Sequence, residues 1–204
     1  MGLKIKLNNV RLGFAQQLFN PSAVEEGQTK KFGCDSLLVP GHSVLKAVVK
    51  DEKTTWVPTT MPEVLLAVAN ETIKGTGKAK PWLDALEGSK RCYRNGDTRV
   101  TKGGDAYEGY EGVWYVAAKS KTRPLLIDAN KQPLTEADGK PYSGCYANVV
   151  IEVYGMGDPK KKGVHAAIKS VQFVKDGDAF GGGAPSSPDD FDDLGTGADA
   201  GDLA

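Results

Sequence analysis

The chain has little of the chemistry that most enzymes and metal sites draw on. Its 204 residues include three cysteines, Cys34, Cys92 and Cys145, and two histidines, His42 and His165. The cysteines are odd in number and lie more than fifty residues apart. That excludes a disulfide framework and a Cys-x-x-Cys metal clamp, and leaves buried free thiols as the reading. No His-x-x-x-His pair and no Gly-x-Ser-x-Gly elbow occurs. Gly75-Thr76-Gly77-Lys78 matches a phosphate loop only in part, because Thr72 stands at the first glycine position and Ala79 at the Ser/Thr position. It reads as a solvated loop. Long apolar runs are missing too. Val64–Ala69 and Ala147–Ile151 fall far short of the ~18 residues that a membrane span needs. The opening Met1-Gly2-Leu3-Lys4-Ile5-Lys6 lacks the apolar stretch of an export signal, and Lys6 breaks the myristoylation pattern. Metal, cofactor and membrane roles have no support, and a cytoplasmic location is expected.

Positive charge is missing from the end of the chain. No Lys or Arg follows Lys175, while Asp176, Asp178, Asp189, Asp190, Asp192, Asp193, Asp199 and Asp202 do. The overall net charge of zero therefore joins a body of +8, residues 1–175, to a tail of −8. Within that tail, 181–188 read as a Gly/Pro/Ser linker. Asp189, Asp190, Phe191, Asp192 and Asp193 form its acidic centre. Its few apolar residues cannot offset the entropy of ordering it. The expected division is a domain over 1–180 and a disordered acidic tail over 181–204. A tethered polyanion competes at high effective concentration for any basic groove on the body.

The body shows mostly strand periodicity. Leu3, Ile5 and Leu7 alternate with lysines, and the phase then shifts to Val10, Leu12 and Phe14. The slip at Asn8-Asn9 predicts a bulge or sharp bend in a strand over 3–14. A second strand is expected over 29–39. Ser43 with Val44, Leu45, Val48 and Val49 reads as a capped helix. Thr60-Met61-Pro62-Glu63 reads as a capping box for a second helix, ended near Gly75. Residues 76–111 read as loops around short strands. Further strands are expected over 113–120, 145–155 and 164–175, with Pro124–Asp128 extending the first. Cys145, Ala147, Val149, Ile151 and Val153 form one apolar face, and a second phase slip separates Ile168 from Val171. Bent strands with a helical insertion point to a mainly β fold, a five-stranded barrel of the OB type.

Cations and aromatics are interleaved along this body. Lys90, Arg91, Tyr93 and Arg94 form one cluster. Trp114 leads to Lys119, Lys121 and Arg123, and Tyr146 and Tyr154 lead to Lys160 and Lys161. Lysine and arginine neutralise phosphates, and flat side chains stack on unpaired bases. Trp114 and Tyr115 alternate across a strand, so at most one of them faces a groove. Lys160-Lys161-Lys162 equally suits a solvated hairpin turn.

The last third of the body carries a family likeness. Arg123-Pro124-Leu125-Leu126-Ile127-Asp128 precedes Tyr142-Ser143-Gly144-Cys145-Tyr146-Ala147-Asn148, and Val171-Gln172-Phe173-Val174-Lys175-Asp176-Gly177-Asp178 closes the block. This resembles a phage and prophage family of single-stranded-DNA-binding proteins, long catalogued as a domain of unknown function and related to that of phage T7. The resemblance implies an OB-fold barrel whose acidic C-terminal tail weakens DNA binding and contacts replication proteins. It assigns no binding residue individually. The chain ends Asp202-Leu203-Ala204, so Phe191 is the candidate docking aromatic. The expected activity is non-catalytic single-stranded DNA binding in phage replication, recombination and repair, in the host cytoplasm. The rival readings are a nuclease or recombination enzyme with an unrecognised site, and a chaperone-like structural phage protein.

Overall fold

The computed structural model describes residues 2–23, 27–74 and 77–181. The expected acidic tail, with Asp189, Asp190, Phe191, Asp192 and Asp193, lies outside them. Alternation wins along most of this length, and among the described residues nine strands join in one sheet. They are β1 (Leu3–Gly13), β2 (Phe32–Leu37), β3 (Ser43–Lys50), β4 (Lys53–Thr59), β5 (Tyr93–Asn95), β6 (Trp114–Ser120), β7 (Leu125–Ile127), β8 (Tyr146–Met156) and β9 (Gly163–Lys175). Helices α1 (Met61–Thr72) and α2 (Ala79–Asp84) are inserted between β4 and β5.

The phase slip in the first strand becomes a bend. The pairing of β1 with β8 shifts between Leu7 and Val10. Asn9 takes a left-handed φ of 53°. Its N–H donates to Asn148 Oδ1 at 3.1 Å, which holds the bulge. Either side of the bend β1 serves a different neighbour: Ile5–Asn8 pair with β3, and Arg11–Gly13 pair with β2. A second bulge in β9 falls where Val150 pairs with Ser170 and Ile151 with Ile168.

One short segment closes the barrel. The N–H of Cys92 donates to Val164 O of β9, and its carbonyl accepts from Ala117 N–H of β6, both at 2.8 Å. The circuit β6-β2-β1-β8-β9 thereby returns on itself through residues 91–95, closing a small barrel of the OB type expected, with five strands and this short segment as its wall. Ile5, Leu7, Val10 and Leu12 of β1 meet Ala147, Val149, Ile151 and Val153 of β8 inside it, all with 0% exposure. Each of the Val, Leu and Ile side chains among them contributes roughly 1.5–3 kcal/mol on burial. Cys34, Cys92 and Cys145 are free and buried, as expected.

Helix α1 starts as read. Thr60 Oγ1 accepts from Glu63 N–H at 3.4 Å, and Glu63 Oε2 accepts from Thr60 N–H at 3.0 Å. The bond from Thr60 N–H, with a second from the Thr59 hydroxyl at 3.0 Å, holds the Glu63 carboxyl below its ordinary pKa. Val64, Leu65 and Val68 turn into the barrel core. The helix ends at Thr72, and Gly75, the expected stop, lies outside the described residues.

Three expectations need correction. Ser43–Lys50 is a strand and not a helix. Val44, Leu45, Val48 and Val49 fit both periods, and the open edge of β1 together with three β-branched valines decides for strand. Only Val44 is buried; Val48 and Val49 are exposed. Leu125–Ile127 does not extend β6 but pairs parallel with β9. The strand expected over 29–39 covers Phe32–Leu37.

Candidate nucleic-acid interface

The barrel's closing segment carries the site. Residues 91–95 put Cys92 inward and Arg94 into a recess of about 210 Å3. Lys31, Asp35 and Lys119 line it from the β2–β6 side, Arg99 from the loop after β5, and Tyr154 and His165 from β8 and β9. Four cations thus face one carboxylate. Asp35 is 5% exposed; its Oδ2 accepts from Tyr110 Oη at 2.8 Å and lies 3.5 Å from Arg99 Nη2. Gly13 makes room for that hydroxyl, since a Cβ there would collide with it. Burial pushes the Asp35 pKa up, with Arg99 and the Tyr110 hydrogen bond opposing it. The Tyr110 hydroxyl is pushed up as well, first by burial and then by Asp35.

The other titratable groups record a positive field. Burial lowers the Lys119 pKa, with Asp35 raising it and Arg99, Lys31 and Arg94 pressing it down. His165 is lowered first by burial, then by Lys90, Lys31 and Arg94, against a raising hydrogen bond to Lys161 O. An anion entering the recess relieves that mutual repulsion.

A second recess of about 340 Å3 shares Arg94 and Arg99 with the first and adds Arg91, Tyr93 and Trp114. Asn95 pairs with Trp114 and Arg94 with Tyr115, which places Tyr93 and Trp114 on one face. Their rings stack at 4.6 Å. Trp114 is 46% exposed and Tyr115 is 2% exposed, so the alternation resolves in favour of Trp114. Arg94 is aimed by its own chain, donating from Nε to Arg91 O at 2.6 Å and from Nη2 to Ser89 O at 3.1 Å. Arg99 lies 4.8 Å over the Phe14 ring.

The predicted residues therefore divide. Arg94, Lys119 and Tyr154 meet in the first recess, and Arg91, Tyr93 and Trp114 line the second. Arg91 is also committed to the fold: its Nη2 donates to Asp84 O at 2.8 Å and Leu86 O at 2.7 Å. Lys90 sits just before this segment. Lys121 and Arg123 are exposed in the β6–β7 turn, and Lys160 and Lys161 in the β8–β9 turn. Neither pair lines the groove. Tyr146 is at the far end of β8, with Lys175 Nζ 4.6 Å and Arg11 5.7 Å from its ring. Lys31, Arg99 and His165 were not predicted to line it. Each sits in an ordinary local sequence, and only the contact between residues 35 and 99 shows what Arg99 does. Among the described residues no group of three or more His, Cys, Asp and Glu could hold a metal ion, and no helix is long and apolar enough to cross a membrane.

Fold and site together define a class: a small closed β-barrel with a cationic groove walled by aromatic rings. The sequence profile described as "Enterobacter phage Enc34, ssDNA-binding protein" matches residues 3–203, and the chain belongs to this family. The protein p50 of Acyrthosiphon pisum secondary endosymbiont phage 1 is 38% identical over 199 residues, covering 94% of each chain. The structure of the single-stranded DNA-binding protein from bacteriophage Enc34 in complex with ssDNA matches with a TM-score of 0.62 and 20% identity, covering 87% of this chain and 89% of that one. The single-stranded DNA-binding protein gp2.5 of bacteriophage T7 matches at a TM-score of 0.46 and 12% identity, over 98% of this chain and 100% of that one.

Proposed function

We propose that this chain binds single-stranded DNA, largely without regard to sequence and without catalysing a reaction on it. The observation that carries the reading is the groove itself: Lys31, Arg94, Arg99 and Lys119 beside the exposed Trp114 ring stacked on half-buried Tyr93. Cations hold the backbone, and rings accept bases that a duplex keeps stacked on one another. Membership of a family described by a phage ssDNA-binding protein supports the same ligand. Coating exposed strands in phage replication, recombination and repair, in the host cytoplasm, is the proposed role. The −8 tail competes with DNA for the groove, and Phe191 with its four flanking aspartates docks replication partners.

Fluorescence anisotropy with a labelled oligonucleotide tests this, comparing the full chain with one stopped after Gly183. Contact with four phosphates predicts a slope of about −3 in log affinity against log salt. The shortened chain binds more tightly, and duplex competes poorly. Equal affinity of the two forms would remove the competing tail. Absence of binding by both would remove the DNA reading.

A further inference from the structure

A second pairing of indole and cations lies outside the groove, on the β3–β4 hairpin. Lys6 is paired with Leu45, and Leu45 with Pro58, so these three share a face. Lys4 and Trp56, each two residues along, share it too. The ammonium groups of Lys6 and Lys4 lie 4.6 and 5.9 Å from the centre of the Trp56 ring. Neither lysine makes an ion pair among the described residues. The acid facing Lys4 across the sheet is Glu152, and Lys169 already holds its carboxylate at 2.6 Å.

That face leads back to the groove. Glu152 and Tyr154 lie on one side of β8, and Tyr154 is paired with His165 on β9. Both line the first recess. Three strand spacings and two residues of rise separate Tyr154 from Trp56, about 16 Å along the sheet. The free edge of the hairpin carries Pro58, which has no N–H to offer an added strand. Unpaired positive charge beside an aromatic ring, on the same face of the sheet as a cationic groove, fits a polyanion carrying flat bases.

We infer that Lys4, Lys6 and Trp56 form a second contact site for single-stranded DNA, reached only by strands long enough to run out of the groove. A phosphate drawn to the two ammonium groups brings its base to the indole. The inference rests on the groove being the primary DNA site, and the test separates the two.

Affinity is measured for oligonucleotides of about 5 and about 20 nucleotides, one near the lower end of the range that one such barrel occupies and one beyond its upper end. The wild type is compared with Lys119→Ala, the double variant Lys4→Ala/Lys6→Ala, Trp56→Ala and Trp56→Phe. The lysine pair is expected to weaken binding of the long strand and to lower its salt slope by about 1.4, with the short strand unchanged. Trp56→Ala should weaken the long strand roughly tenfold, and Trp56→Phe should restore part of that loss. Long-strand binding left unchanged by these variants would overturn the inference. So would an equal loss for both lengths, which marks damage to the fold or groove. Lys119→Ala should weaken both lengths; if it weakens neither, the groove reading fails while the hairpin result stands.

Discussion

Asp35 sets up the sharpest test of the groove, because its removal should strengthen binding. It is the one carboxylate among the described residues lining the first recess, facing Lys31, Arg94, Arg99 and Lys119. A phosphate held by Arg99 and Lys119 comes to about 8 Å from it, a repulsion of about 2 kcal/mol at an effective dielectric of 20. Screening at physiological salt cuts this to about 1 kcal/mol. Asp35→Asn should therefore bind single-stranded DNA about fivefold more tightly at moderate salt, and the gain should grow as salt is lowered. The side-chain oxygen of asparagine still accepts from Tyr110. The stability of the two proteins checks the electrostatic basis. Burial raises the folded-state pKa of Asp35 above its ordinary 3.8. Its favourable contribution is then full below that ordinary value and is lost as pH rises through the raised one. The melting temperature of the wild type should accordingly fall relative to Asp35→Asn between acid and neutral pH. Unchanged or weaker DNA binding by a folded Asp35→Asn protein would refute the reasoning. A stability difference that stays flat across that range would refute its electrostatic basis.

Trp114→Ala should cost about 1–3 kcal/mol of single-strand affinity by anisotropy, with little change in melting temperature because the ring is 46% exposed. Thr60→Ala removes the capping box of α1 and should destabilise the protein by about 1 kcal/mol, a fall of about 2–4 °C in melting temperature, while DNA binding stays unchanged. Burial pushes the thiol of Cys145 up to about 11 and that of Cys92 up to about 12, and raises Cys34 further. All three should resist a thiol-titrating reagent at pH 8 in the native protein and react on unfolding in urea.

The barrel was more legible than the groove. Alternation exposed the inward face of β8, and two phase slips announced the bulges of β1 and β9, because each depends on neighbours in sequence. The capping box was local in the same way. Residues 43–50 misled because their apolar spacing satisfies two periods, and the deciding partner, the edge of β1, is some forty residues away. The groove suffered most. Arg94, Lys119 and Tyr154 stood out as basic–aromatic clusters, yet nothing local distinguished them from Lys121, Arg123 or Lys160, which stay in exposed turns. Lys31 and His165 enter only because the sheet rolls over and brings β9 against residues 91–95, while β2 lies one strand further on, beyond β6.

That closing segment gives the barrel a seam. Every other junction in the circuit is a ladder of paired strands, whereas the link from β9 to the 91–95 segment is the bridge of Arg91 with Val164, with Cys92 N–H bonded to Val164 O. Arg94 and Trp114 lie on one side of the seam, and Tyr154 and His165 on the other. A strand of DNA laid across it would act as a stitch. Protection of the Cys92 amide from hydrogen exchange should then rise with each bound strand, so that the least secured line in the wall is tightened by its own ligand.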